Sequence, residues 1–297
     1  MKPSFLILCL SCLALLLLAC AKNPQATESI AQKVFTVKGV VVRVEDEGRT
    51  MIIRHEEIPD YMGAMTMPFR VKEPSESRKV HPGDEILFIY KVAELSSWIE
   101  AIKPTGNTEE IKADTTKPTP SSKLLKVGER FPDIELLNEQ GDAVNLSDYR
   151  GLAVALTFIF TRCPVPEYCP AMMRNFSEVE TLLKADANAP TNYKLLTLSF
   201  DSDFDTPEVM KAYGEKFGQS TGNWNMLTSP KTETVKSLGE SVGLMFGKSE
   251  GSIYSHNLRT VVLNGDGRIT KIFTDESWKP EELVVELKKA TKHSRSE

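Results

Sequence analysis

The chain has 297 residues, of which 41% are hydrophobic and 26% charged, and carries a formal net charge of −5 at pH 7. That length accommodates two modest domains. An ordinary globular composition with a slightly acidic balance excludes a nucleic-acid partner, which demands a basic surface.

At the N-terminus, Lys2 precedes FLILCLSCLALLLLAC, an apolar run too short for a membrane span and flanked like the apolar region of an export signal. Its end, Leu17-Leu18-Ala19-Cys20, resembles the lipobox of bacterial lipoproteins. The resemblance implies a signal peptide over residues 1–19, lipid on Cys20, and a polar tether over residues 20–34 that holds soluble domains at a membrane. The place implied is a bacterial cell envelope, with the domains facing the periplasm or the exterior. Cys9 and Cys12 leave with the signal, so Cys163 and Cys169 are the thiols that remain and can pair with each other. In an exported protein such a pair serves as a structural disulfide, a redox couple or soft-metal ligands, and counting leaves all three open.

Residues 35–104 read as a small all-β domain. FTVKGVVVRVEDEGRTMIIRHEEI holds two Val- and Ile-rich runs separated by the turn signal EDEGR; HPGDEILFIYKV supplies a strand behind a turn, and SSWIEAIKP a last one. About five strands in a segment of this size predict a closed or partly open barrel. Within it His55, Met62, Met65 and Met67 lie close together. If AMTMPF is a strand, Met65 and Met67 point to the same face, and two thioethers with an imidazole make a soft metal site. Methionine more commonly fills a core, and that reading stands beside the first.

Residues 105–123, TGNTEEIKADTTKPTPSSK, have almost no apolar side chains and predict a flexible linker. Residues 124–297 form the second domain. LAVALTFIF is a continuous apolar run of strand length, which indicates burial on both faces of a sheet. Met172, Phe176, Val179 and Leu183 follow at helical spacing, then the buried strand KLLTLSF, so a parallel crossover is expected. Thr206-Pro207 marks a helix start, with Val209, Tyr213 and Phe217 as its apolar stripe; a further helix carries Val235, Leu238, Val242 and Met245. LRTVVLNGDGRITKIF predicts a hairpin and PEELVVELKKATK a closing amphipathic helix. Together these elements predict an α/β domain around a mixed sheet.

Cys163 follows a buried strand and precedes a helix, where α/β sheets place their sites, and the nearby helix N-terminus predicts that Cys163 and Cys169 are both more acidic than free cysteine. Two thiolates with His256 make a soft three-coordinate set suited to copper. Asp201, Asp203 and Asp205 read as solvated loop acids, and partners behind the metal ligands are the other reading.

VALTFIFTRCP, the second CP, LSFDSDFDTPEVMKAY and YSHNLRTVVLNGDG together resemble the Sco (SenC) family of thioredoxin-like copper chaperones in cytochrome c oxidase assembly. The resemblance runs from about Lys126 to Ala290 and implies that Cys163, Cys169 and His256 bind copper, as Cu(I) and also as Cu(II) through the histidine. It further implies that the two cysteines cycle through a disulfide. The family's usual cysteine motif has three intervening residues, whereas here PVPEY supplies five.

From about Val37 to Ile102, with MTM and an upstream histidine, the chain also resembles the periplasmic copper-binding proteins related to CusF, small barrels of the OB type. That resemblance implies Cu(I) ligation by His55, Met65 and Met67. The family places a tryptophan three residues before the first methionine; Met62 stands there in this chain and is a third thioether candidate.

The expectation is therefore a multi-domain protein: an N-terminal OB-like β-barrel and a C-terminal α/β thioredoxin-like domain, acting as a lipid-anchored, two-site copper chaperone. The partners implied are the cytochrome c oxidase subunit carrying the dinuclear copper centre and a periplasmic thiol reductant. A thiol-disulfide oxidoreductase acting on that subunit's cysteines, and copper sequestration for tolerance, are the other readings. A peroxidase reading is weaker, because the chain has no Pro-x-x-x-Thr-x-x-Cys pattern ahead of Cys163.

Overall fold

Strand β1 (Lys33–Glu45) is long and bends at an irregularity between Val41 and Arg43, which lets one strand pair with two partners. A tight turn over Asp46–Gly48 leads into β2 (Thr50–His55), and β3 (Met65–Arg70), the short helix α1 (Pro74–Ser77), β4 (Asp84–Val92) and β5 (Ser97–Thr108) follow. The sheet order is β3-β2-β1-β4-β5, antiparallel throughout, and a bridge between Val71 and Ile99 joins its two ends. This is the all-β barrel expected from the sequence. Its interior holds Val41, Met51, Ile53, Phe69, Phe88 and Ile99.

The computed structural model describes residues 31, 33–111, 123–219, 222–248 and 254–293. The residues read as a signal peptide, Cys20, read as the lipid site, and most of the segment read as a tether lie outside the described residues, as does the greater part of the linker. Strand β5 continues to Thr108, into the stretch read as linker. There Thr105 and Asn107 donate to the Glu85 carboxylate and the Glu109 N–H to the Gly83 carbonyl. Hydrophobic periodicity missed this segment because its side chains are exposed on both faces.

The second domain is built on β6 (Glu135–Asn138), β7 (Ala143–Asn145), β8 (Ala153–Ile159), α2 (Cys169–Ala185), β9 (Tyr193–Ser199), α3 (Pro207–Lys216), β10 (Trp224–Thr228), α4 (Thr232–Ser241), β11 (Phe246–Lys248), β12 (Tyr254–His256), β13 (Thr260–Leu263), β14 (Ile269–Phe273) and α5 (Pro280–His293). Seven strands form a mixed sheet in the order β14-β13-β8-β9-β10-β6-β7, with β8, β9 and β10 parallel. Every residue of β8 is buried, as its unbroken hydrophobicity requires. Helices α2 and α5 pack on each other and on β8, which makes β8 the centre of the domain.

Two helix faces differ from expectation. On α3 the fully buried positions are Met210 and Gly214, while Val209, Tyr213 and Phe217 are half-buried. The helix rolls toward its glycine, where a Cβ would meet the Met226 side chain at 2.8 Å. Met245 is 39% exposed, because α4 ends at Ser241 and Met245 is past the helical stripe. The start of α3 is as predicted: the Thr206 side chain accepts the Val209 N–H at 3.4 Å. A Thr206→Ala protein is expected to lose about 1 kcal/mol of stability through this cap, read as a shift in its urea midpoint with an unchanged slope.

Candidate metal centre

Strand β8 delivers the chain to Phe160, and the next two residues are anchored by acids from the end of β9. Thr161 donates its N–H to Asp205 at 3.0 Å and its hydroxyl to the other carboxylate oxygen at 2.5 Å, and Ser199 Oγ donates to the same group. Arg162 donates to Asp201 through Nε at 3.1 Å and Nη2 at 2.5 Å, and its guanidinium lies 4.2 Å over the Phe204 ring. Asp201 and Asp205 are both 0% exposed, so they are structural acids and not the solvated ones expected from a polar loop. Burial pushes the Asp205 carboxyl up, opposed by its hydrogen bonds from Ser199 and Thr161. Cys163 comes immediately after this anchored dipeptide, so its backbone position is held from behind.

Cys169 is the first residue of α2, and the PVPEY loop carries the chain from one thiol to the other. His256 comes from the end of β12, and its Nε2 is 3.9 Å from Cys163 Sγ and 3.7 Å from Cys169 Sγ. The three ligand atoms lie within 4.8 Å of one another. Three atoms each about 2.3 Å from one trigonal ion would stand about 4 Å apart, so the set is spaced for a single metal ion. His256 Nδ1 is 2.9 Å from the Asn257 carbonyl. A carbonyl only accepts, so Nδ1 carries a proton and Nε2 is the ring atom that faces the thiols. Phe160, Phe200 and Tyr168 surround the imidazole at ring-centroid distances of 5.4, 5.2 and 5.6 Å, which fixes its orientation and keeps the site apolar.

Both cysteines are free thiols. Burial pushes Cys163 up, but hydrogen bonds from Cys169 and His256 and the His256 charge outweigh it and hold the thiol well below its usual range. Cys169 moves the other way, raised by burial and by its neighbour Cys163. The expectation that both thiols are acidic is thus corrected: the pair holds one thiolate readily, and repulsion in a buried space keeps the second proton on. A metal ion supplies the charge that releases it.

In the barrel, His55 pairs directly across from Met65 and Ile53 from Met67, so His55, Met65 and Met67 share one face of the β2–β3 ladder. Gly39 on β1 lies opposite His55, where a Cβ would meet Ile53 Cγ2 at 2.7 Å and the Arg54 carbonyl at 2.8 Å. Glycine is what permits that close approach. His55 is 1% exposed; its Nδ1 is 2.6 Å from the Glu56 carbonyl, and its buried Nε2 has no hydrogen-bond partner. Burial lowers its pKa, which keeps the imidazole neutral. A neutral, buried, unpartnered lone pair on the same face as two thioethers has the chemistry of a soft-metal donor. Met62 is buried in the barrel core, its backbone bridged to Ile58. Trp98 is half-buried and donates its indole N–H to Glu100 at 3.0 Å.

Part of each donor set lines a cavity of about 40 Å³: Met65 and Met67 from the barrel, and Cys163 and His256, with Pro164 and Tyr168, from the second domain. The barrel holds this position through side chains that sequence reasoning passed over. Tyr61, stacked on Phe35 at 4.6 Å, donates its hydroxyl to the Pro164 carbonyl at 2.5 Å. Ser97 donates its N–H to one carboxylate oxygen of Glu167 and its hydroxyl to the other at 3.0 Å. Only the unusual length of the PVPEY loop hinted that this segment does more than join two ligands.

Comparison with known proteins agrees with both halves. Residues 122–292 match the family model SCO1/SenC, and residues 34–104 match that of the copper binding periplasmic protein CusF. The chain is similar to the SCO1 protein homolog of Bacillus subtilis, 24% identical over 157 residues that cover 52% of this chain and 79% of that protein. It is also similar to the SCO2-like protein of Rickettsia felis, 24% identical over 166 residues, 52% of this chain and 74% of that one. Among solved structures, a SCO1/SenC family lipoprotein from Bacillus anthracis superposes with a TM-score of 0.50 at 24% identity, covering 56% of this chain and 98% of that one. This last likeness carries the fold of the second domain.

Proposed function

This chain belongs to the SCO1/SenC family, and from that premise we propose that it is a membrane-anchored copper chaperone that supplies the dinuclear copper centre of a cytochrome c oxidase subunit. The observation that carries the reading is the Cys163, Cys169 and His256 cluster, whose ligand atoms lie within 4.8 Å of one another in an apolar shell. Soft thiolates select Cu(I), and the imidazole extends the site to Cu(II). His55, Met65 and Met67 give the barrel a thiol-free Cu(I) site, suited to an oxidising compartment. Lipid on Cys20 would keep both sites at a membrane of the cell envelope, and a periplasmic thiol reductant would keep Cys163 and Cys169 open for metal.

The test is Cu(I) stoichiometry of the reduced full-length protein, measured by competition with a chromophoric chelator. Two coppers are expected in the parent and one in each of the double variants Cys163→Ser/Cys169→Ser and Met65→Leu/Met67→Leu. A parent that binds none overturns the copper reading. One copper, lost only with the cysteines, reduces the barrel's methionines to packing.

The acidic Cys163 thiol beside Cys169 favours a second reading, a thiol-disulfide oxidoreductase acting on the oxidase subunit's cysteines. A Cys163→Ser protein that still restores reduction of those cysteines in a deletion strain would eliminate it. Delivery predicts an oxidase defect rescued by added copper, whereas sequestration predicts a copper-sensitive strain with normal oxidase.

A further inference from the structure

The loop between the two cysteines contacts the barrel at two points. Glu167 accepts both the N–H and the hydroxyl of Ser97, and the Pro164 carbonyl accepts from Tyr61. Glu167 has no other role in the metal centre: its carboxylate points to the barrel and not into the cluster. The contacts join residues 70 and 103 positions apart in sequence, so they hold the two domains together. At this interface the thioethers of Met65 and Met67 line the same cavity as Cys163 and His256. Met65 also borders the groove beside His55, so it belongs to both spaces. The cavity, at about 40 Å³, exceeds the roughly 10–15 Å³ a single water needs and is far smaller than any carrier molecule.

We propose that the loop between the cysteines is a docking clasp for the barrel, closing the two donor sets over one cavity so that Cu(I) passes between them without entering solvent. The proposal rests on the copper reading above. The transfer is a ligand exchange: bonds from Cu(I) to the Met65 and Met67 sulfurs and to His55 break as bonds to the Cys163 thiolate and then Cys169 form. Cys169 gives its proton to solvent, copper stays Cu(I), and no electron moves. Opening the clasp would expose the loaded thiolate site to a recipient, so one contact set would govern both intake and delivery. This also accounts for the five-residue loop, since a shorter connection would leave fewer residues to reach Ser97 and Tyr61.

Two measurements on the reduced full-length protein test the clasp. The first is the rate at which iodoacetamide alkylates metal-free Cys163, in wild type and in Glu167→Ala, Glu167→Gln and Tyr61→Phe/Ser97→Ala proteins. Alkylation is expected to be at least tenfold faster in Glu167→Ala and faster by a smaller factor in the double variant, which keeps the bond from the backbone N–H of residue 97 to Glu167. Glu167→Gln is expected to stay near wild type, because an amide can accept from the Ser97 N–H and donate to its hydroxyl. The second is double-mixing stopped flow, in which Cu(I) is bound first and a chromophoric chelator is added afterwards, while transfer is under way. In wild type the thiolate–copper absorption should rise at a rate indifferent to chelator concentration, and in Glu167→Ala it should fall severalfold as chelator increases. Equal alkylation rates in all four proteins, or wild-type transfer that chelator intercepts as readily as in the variants, overturns the proposal. A wild type that binds no copper defeats the underlying copper reading instead, while the alkylation rates still report whether the clasp exists.

Discussion

A His256→Ala protein is expected to retain Cu(I) on its thiolate pair, weakened less than about tenfold, while its Cu(II) affinity falls by more than the roughly 100-fold that loss of an outer-sphere partner can cost. The asymmetry follows from donor chemistry: thiolates satisfy Cu(I), whereas Cu(II) seeks nitrogen ligands and a higher coordination number. The imidazole is the nitrogen donor within the cluster, 3.7 and 3.9 Å from the two sulfurs. Its removal also takes from Cys163 a hydrogen bond and a favourable charge, so that thiol moves back up toward its ordinary range. Anaerobic chelator competition reads the Cu(I) side, and electron paramagnetic resonance under limiting Cu(II) reads the other. If the two affinities fall together, the histidine is an equal ligand to both oxidation states and the argument fails.

The second large effect is expected behind the site. An Asp205→Ala protein leaves the Thr161 N–H, the Thr161 hydroxyl and the Ser199 hydroxyl without their acceptor, in a space where Ser199 is buried and Thr161 half-buried. Each orphaned donor costs about 1–3 kcal/mol, so a loss of about 3 kcal/mol is expected even if water refills part of the space. Because Thr161 is two residues from Cys163, the thiol loses its support and copper affinity should fall about 10–100-fold, the range for partners that orient a ligand. Urea unfolding and chelator competition measure the two effects separately. A protein that is destabilised yet binds copper at full strength would show that the acid supports the fold and not the thiol.

These two predictions draw on different levels of the molecule. Cys163 and Cys169 were legible as candidates because thiols beyond an unbroken apolar strand are chemically conspicuous, and His256 only in combination with them and through the family resemblance. The Met-x-Met pair was legible because strand alternation alone puts both side chains on one face, and β3 does so. Asp201 and Asp205 were misread, since a run of acids in a polar loop has the composition of a solvated surface. Their partners Thr161 and Arg162 come from elsewhere in the chain, and only the packing of β8 beside β9 brings them to the acids and to Ser199. The split between the two thiols was equally hidden: a helix terminus acts on both, but two charges in one buried space cannot both form without a metal.

By itself the sequence indicated the two domain types, the barrel's strands, the four long helices and central strands of the second domain, and both candidate sets of soft donors, because periodicity and donor chemistry are written along the chain, while β6, β7, β10, β11 and β12 were not legible in it. The tertiary structure alone decided that Met65 and Met67 face Cys163 and His256 across one cavity, and that Glu167 reaches Ser97. Those pairings join residues far apart in sequence, so their distance depends on how two completed domains pack, and no local pattern along the chain encodes it.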